Sequence, residues 1–180
     1  ACFGDDICKD GECKMNLQCP VGGTGKLLGD QVKNVTFEGA HALPLELHSM
    51  CGDTKAVWIT LVAGWCTACT QLAPNFHNIH QQFIEEDVEW LLLVGDDGSY
   101  NPADWNYAKQ YHASKGYPES WTYVADPGFN GIIDAIQILD AQGSLYLPAH
   151  LVIGPDMTIH FISDLETSEI DAMATLQSLL

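Results

Sequence analysis

Residues 56–69 read Ala56-Val57-Trp58-Ile59-Thr60-Leu61-Val62-Ala63-Gly64-Trp65-Cys66-Thr67-Ala68-Cys69, and the fold follows outward from them. The first eight form a nearly continuous β-prone run, the pattern of a strand buried on both faces of a largely parallel sheet. Behind it, Cys69, Leu72, Phe76, Ile79 and Phe83 advance by three and four. That spacing predicts one apolar stripe along a helix of about five turns. A CxxC pair therefore sits where a central strand ends and an amphipathic helix begins.

On the N-terminal side, Val32 to Phe37 alternates apolar and polar residues, and Leu43, Leu45 and Leu47 repeat that period, which predicts a hairpin. On the C-terminal side, Glu89 to Val94 is a second buried strand closing in Gly95-Asp96-Asp97-Gly98. Pro102 can open a helix carrying Trp105, Ala108 and Tyr111 or His112. Trp121 to Val124 is a third strand candidate and Ile132 to Leu139 a short helix. Leu151 to Ile153 and Thr158 to Ile162 form a hairpin about Gly154-Pro155-Asp156-Met157, and Thr167 to Leu180 is a terminal helix. Alternating strands and helices, then an antiparallel edge hairpin, imply an α/β fold with a mixed sheet covered on both faces. Its 180 residues suffice for one core, so the chain divides into a Cys-rich tail and linker over 1–28 and one domain over 29–180.

Composition removes several classes of function. Seven Lys, no Arg, 24 acids and a net charge of −17 repel a phosphate backbone and supply no guanidinium clamp. There is neither a GxxxxGK[ST] loop nor a GxGxxG turn, so nucleic acid and nucleotide cofactors are poor candidates. Ala56 to Trp65, the longest apolar run, is about half a membrane span. His77 and His80, three apart on the long helix, read as solvated, and Asp96-Asp97-Gly98-Ser99 lacks the alternating acids of a calcium loop and reads as a turn.

Four of the seven cysteines, Cys2, Cys8, Cys13 and Cys19, crowd the first nineteen residues, while Cys51, Cys66 and Cys69 lie in the body. The tail spacings lack the CxxC knuckles of a zinc site, which favours disulfides that staple a segment too short for its own core. An oxidising, extracytoplasmic compartment follows, and a chain beginning at Ala1 is what removal of a targeting segment leaves. Ala1-Cys2 ahead of Gly4-Asp5-Asp6 also looks like a bacterial lipoprotein junction, with Cys2 the acylated residue. Cys8, Cys13, Cys19 and Cys51 would then form two bridges, with three connectivities open.

At a helix N-terminus, unpaired backbone N–H groups and the helix dipole favour an anion, so the Cys66 thiolate is stabilised there. Cys69, one turn on and inside the apolar stripe, stays protonated while Cys66 attacks, then resolves the mixed disulfide. A permanent staple or half of a zinc knuckle are the plainer readings; zinc would need a second pair, with Cys51 as at most a third ligand and His48 or His150 as fourths.

Three features give the chain a resemblance: Ala63-Gly64-Trp65-Cys66-Thr67-Ala68-Cys69 after the apolar strand, Pro74 five residues beyond, and Leu147-Pro148-Ala149-His150-Leu151-Val152-Ile153. Over roughly 29–180 it resembles the thioredoxin-like superfamily, in its exported TlpA-like and redoxin branch. The resemblance implies a three-layer fold, a redox-active disulfide without dissociable cofactor, and protein dithiol or disulfide substrates with a redox partner protein. It implies a cis-proline at Pro148 opposite the disulfide, Leu147 as the substrate-facing backbone position, and Trp65 flanking the site. Two family carboxylates are missing: thioredoxins carry an Asp where this chain has Thr60, and many TlpA-like reductases a Glu where it has Leu72. His150 is a candidate to stabilise the Cys66 thiolate when protonated, or simply packs its ring in a strand. A peroxidatic site would have Thr in place of Ala63, which weakens a peroxidase reading. The rival of a different class is a copper(I) chaperone or assembly factor holding metal between the two thiols; a third reading is a stapled interaction domain.

Overall fold

The computed structural model describes residues 7–9, 12–14, 19, 22–164 and 166–180, the first two stretches by their backbone alone. Those two are a small antiparallel ribbon, β1 (Ile7–Lys9) and β2 (Glu12–Lys14), with Cys8 and Cys13 at partner positions. Cys2 and the bridging of Cys8 and Cys13 lie outside the described residues.

The body is a seven-stranded mixed sheet. Its axis is β5 (Ala56–Val62), buried at every position, so both faces of the sheet are covered there. β6 (Val88–Val94) runs parallel beside it, Ala56 level with Val88 and Val62 with Val94. β7 (Thr122–Ala125) continues the parallel set, and the hairpin of β3 (Thr36–Glu38) and β4 (Pro44–Glu46) closes that side. On the other side β8 (Ala149–Ile153) runs antiparallel to β5, and β9 (Ile159–Ile162) forms the edge. The backbone of residues 29–32 lies along that edge: Gly29 N–H donates to Ile159 O, Ile159 N–H to Asp30 O, and Val32 N–H to Met157 O.

Among the described residues, four α-helices complete the layers: α1 (Thr67–Gln82), α2 (Trp105–Lys115), α3 (Asn130–Ala135) and α4 (Glu169–Leu179). Their starts are set by side chains that accept otherwise unpaired N–H groups. Asp104 caps α2, and Ser168 with Asp171 forms a capping box on α4. Pro102, expected to open α2, instead lies in a bridge with Asp96 two residues before the cap. The expected helix over 132–139 is shorter and earlier, ending at Ala135.

Buried α1 residues are Cys69, Ala73, Phe76, Ile79 and His80, while Leu72 is only half-buried. His80 therefore corrects the solvated reading given to it with His77, which is exposed. Its ring meets Trp90 and Trp121 edge-on, and burial holds its pKa below the usual histidine value, with the His77 charge adding to the shift. Phe76, Trp90, Tyr117 and Trp121 continue this aromatic layer between α1 and the sheet. Pro74, inside α1, has no N–H for the Thr70 carbonyl one turn back.

Cys19 is bonded to Cys51, across 32 positions of sequence, just after the short 3-10 turn Leu47–Met50. Of the three connectivities open in the sequence, those joining Cys19 to Cys8 or Cys13 are thereby excluded.

Candidate active site

β5 delivers the site. After Val62 the chain turns through Ala63-Gly64-Trp65, and Cys66 becomes the N-cap of α1. Gly64 is required by close approach: a Cβ there would lie 2.5 Å from the Gly98 nitrogen, because the loop after β6 crosses against it. Gly64 N–H also donates to Asp96 O at 2.9 Å, tying that loop to the turn before Cys66.

Cys66 and Cys69 are joined by a disulfide, their Cα atoms 5.3 Å apart. Cys66 is 5% exposed and Cys69 fully buried, so an incoming group can reach only the first sulfur. The Cys69 backbone N–H donates to Cys66 Sγ at 3.0 Å. This is one of the donors a helix start leaves unpaired, and it would favour negative charge on that sulfur.

Trp65 is half-buried beside this turn. Its indole N–H donates to Asp96 Oδ2 at 3.1 Å, and its ring stacks on Tyr100 with centroids 5.1 Å apart. Tyr100 is strongly exposed and adopts a left-handed φ of 64°. The loop that carries it is tied by the Asp97 carboxylate, which accepts from the Ser99 and Asn101 N–H groups. Those bonds hold the Asp97 pKa below the ordinary carboxylate value. The turn expected at residues 96–99 is thus present, and it presents an aromatic ring to Trp65. The sequence carried no signal for that pairing, since it depends on the parallel register of β5 and β6.

The Leu147–Pro148 bond is cis. Leu61 is level with Ala149 in the β5–β8 ladder, so the same register carries Pro148 to the level of Val62, at the end of β5 from which Cys66 follows. Leu147 and Pro148 line a cavity of about 280 Å³ together with Leu72, His150 and the first residues of α4. Leu72 is one helical turn beyond Cys69, so this cavity reaches α1 just below the disulfide. Leu147 and Pro148 thus lie with α1, while Trp65 lies with the Asp96 and Tyr100 loop.

His150 does not act as a cation here. It is 2% exposed, with its ring edge-on to Phe76 and tilted against Trp58, and burial pushes its pKa down to about 4. Its Nδ1 is 3.4 Å from Thr60 Oγ1, which accepts the Trp58 indole N–H at 2.8 Å. Thr60 thus takes part in a neutral network under the site. Leu72, the other position without a family carboxylate, leaves an apolar wall on the cavity.

The AhpC/TSA family matches residues 28–162. The chain belongs to that family. Among curated proteins, none matches the chain. Solved structures similar to it include the thioredoxin domain of a thiol-disulfide oxidoreductase from Bacteroides vulgatus, with TM-score 0.61 and 14% identity over 84% of this chain and 96% of that one. A thiol:disulfide interchange protein from Bacteroides sp. gives 0.60 and 13% over 86% and 91%. A secreted disulfide oxidoreductase from Mycobacterium tuberculosis, homologous to Escherichia coli DsbE, gives 0.57 and 15% over 79% and 94%. Family and fold make this chain a thioredoxin-like oxidoreductase. No helix among the described residues is long and apolar enough to cross a membrane.

Proposed function

We propose that this family member exchanges its Cys66–Cys69 dithiol or disulfide with protein substrates through a mixed disulfide on Cys66. The observation that carries the reading is the Cys66 sulfur at the start of α1, receiving the Cys69 N–H at 3.0 Å and bonded to a fully buried partner sulfur. In the reducing direction, the Cys66 thiolate attacks a substrate disulfide, forming a mixed disulfide and releasing one substrate thiolate. Cys69 then loses its proton to solvent, attacks Cys66 Sγ and expels the second substrate thiolate, so two electrons have passed to the substrate. The oxidising direction is the reverse. Leu147, beside the cis-proline, offers its backbone to an extended substrate segment, and Trp65 flanks the sulfurs.

Two further parts belong to the same reading. The division into a tail over 1–28 and a thioredoxin-like domain over 29–180 is supported by Gly29, whose N–H pairs with β9. Residence in an oxidising, extracytoplasmic compartment is supported by the Cys19–Cys51 bond. A lipid on Cys2 rests on the sequence alone, and mass spectrometry of the natively expressed protein decides it.

The test is insulin-type disulfide reduction with dithiothreitol as donor. Cys66→Ser is expected to reduce the rate to the uncatalysed background, and Cys69→Ser to accumulate a mixed disulfide visible by mass. Full activity in Cys66→Ser refutes the reading. Tight stoichiometric copper(I) binding by the reduced protein, without exchange activity, would replace it with the metal-holding rival. The direction of electron flow follows from the midpoint of the couple against glutathione.

A further inference from the structure

A second, larger cavity of about 650 Å³ lies next to the one under the cis-proline, and Tyr146 and Asp164 line both. Its floor is apolar: Ile138 and Ile162 lie beneath Leu27 and Leu28, which are 60% and 62% exposed. Singly exposed aliphatic residues are ordinary, but these two adjoin an apolar floor and so extend it into a contiguous patch, the kind that marks a binding surface.

The rim carries three carboxylates, Asp140, Asp164 and Glu166, and neither Lys nor His among its lining residues. Two of the three are held in place by the backbone. Asp140 accepts from Gln142 N–H, Ser144 N–H and the Tyr146 hydroxyl. Asp164 accepts from Glu166 N–H, Thr167 N–H and the Thr167 hydroxyl, all on Oδ1. Those bonds hold the pKa values of Asp140 and Asp164 below the ordinary carboxylate value.

We propose that this cavity is the specificity subsite of the substrate groove, receiving an extended segment of the substrate protein that carries an aliphatic side chain next to a lysine or arginine, a few residues from its reactive cysteine. The aliphatic group fills the floor against Leu27, Leu28, Ile138 and Ile162, and the cation meets the acidic rim. The shared residues give the continuity: a segment lying along Leu147 and Pro148 passes Tyr146 and Asp164 directly into the cavity. An extended chain advances about 3.3–3.6 Å per residue, so a handful of residues spans from one cavity into the next. The charge of the whole chain, −17, favours approach of the same basic partners. This inference rests on the exchange reading for its biological meaning, but its test does not use the cysteines.

Fluorescein-labelled peptides with serine in place of the cysteine, and a Leu-Lys pair set two to six residues to either side, are titrated against the oxidised protein by anisotropy. At one spacing the Leu-Lys peptide is expected to bind at least about tenfold tighter than the same peptide carrying Ser-Glu. Leu27→Ser with Leu28→Ser removes that preference, and Glu166→Lys reduces it about threefold and makes the remainder less sensitive to salt. Both substitutions are at exposed positions, and both variants are expected to keep wild-type exchange with dithiothreitol. Equal binding of all peptides, no measurable binding, or a preference that survives the double substitution overturns the proposal. Failure of the wild-type protein to exchange with dithiothreitol overturns the catalytic reading instead.

Discussion

Two disulfides among the described residues are of opposite design. Cys66–Cys69 closes a separation of 3 residues at a helix start, and Cys19–Cys51 closes one of 32 between the tail and the body. In the first, an unpaired helix N–H points at Cys66 Sγ, so the reduced thiolate has a ready partner and opening the bond leaves the backbone in place. In the second, opening releases a long loop whose closure entropy the bond had removed from the unfolded chain. On the proposed reading the same covalent bond acts as a reaction centre in one place and as a fastener in the other, and its surroundings decide which.

Substitution separates the two roles most sharply. Cys66→Ser is expected to abolish disulfide reduction, a loss of at least about 1,000-fold, and to lower unfolding free energy by only about 2 kcal/mol, because a separation of 3 removes less chain entropy than one of 32. Replacing Cys19 and Cys51 together should do the converse, lowering unfolding free energy by about 3–4 kcal/mol from the 32-residue loop while leaving exchange rates as they were. If exchange fell with the second pair, the assignment of separate roles would be wrong.

The next effect concerns how dry the layer beneath Cys69 is. The folded-state pKa of His150 is down at about 4, against about 6.5 unfolded, so as pH falls the unfolded chain takes up this proton first. The contribution is complete above about pH 6.5 and is lost between there and pH 4, about 3 kcal/mol in all. Denaturant unfolding at several pH values checks it: His150→Leu should flatten the slope in that window, and an unchanged slope would mean that the imidazole is solvated. The smallest effect is in the potentials. One pKa unit of thiolate stabilisation at Cys66 makes its couple about 30 mV less negative. Alkylation after titration with glutathione should therefore find Cys66–Cys69 reduced first, and the reverse order would exchange the roles of the two bonds.

Much of this was legible in the chain. The eight residues from Ala56 to Ala63 announce a doubly buried strand because no polar alternation interrupts them. The CxxC is legible because the strand stops and a stripe of period 3.6 starts at the same point. The stripe misled in detail: Leu72 is half-buried and His80 buried, since aromatic residues on β6 and before β7 draw the packed face of α1 toward His80. His150 was legible as a strand residue near the cis-proline, but its neutrality was not, because desolvation depends on Phe76 and Trp58 arriving from other elements. Tyr100 and Leu28 gave no signal at all: exposed apolar residues are common, and only neighbours distant in sequence make them part of a surface.

Local sequence therefore determined the strand, the helix, the cap and the two sulfurs on it, because each depends on residues within a few positions of one another. Tertiary structure alone decided which tail cysteine meets Cys51, what lies under the disulfide, and where the acidic, apolar cavity opens beside the cis-proline. Those depend on strand order and register, which bring together side chains separated by tens of residues, and no short-range pattern encodes that distance.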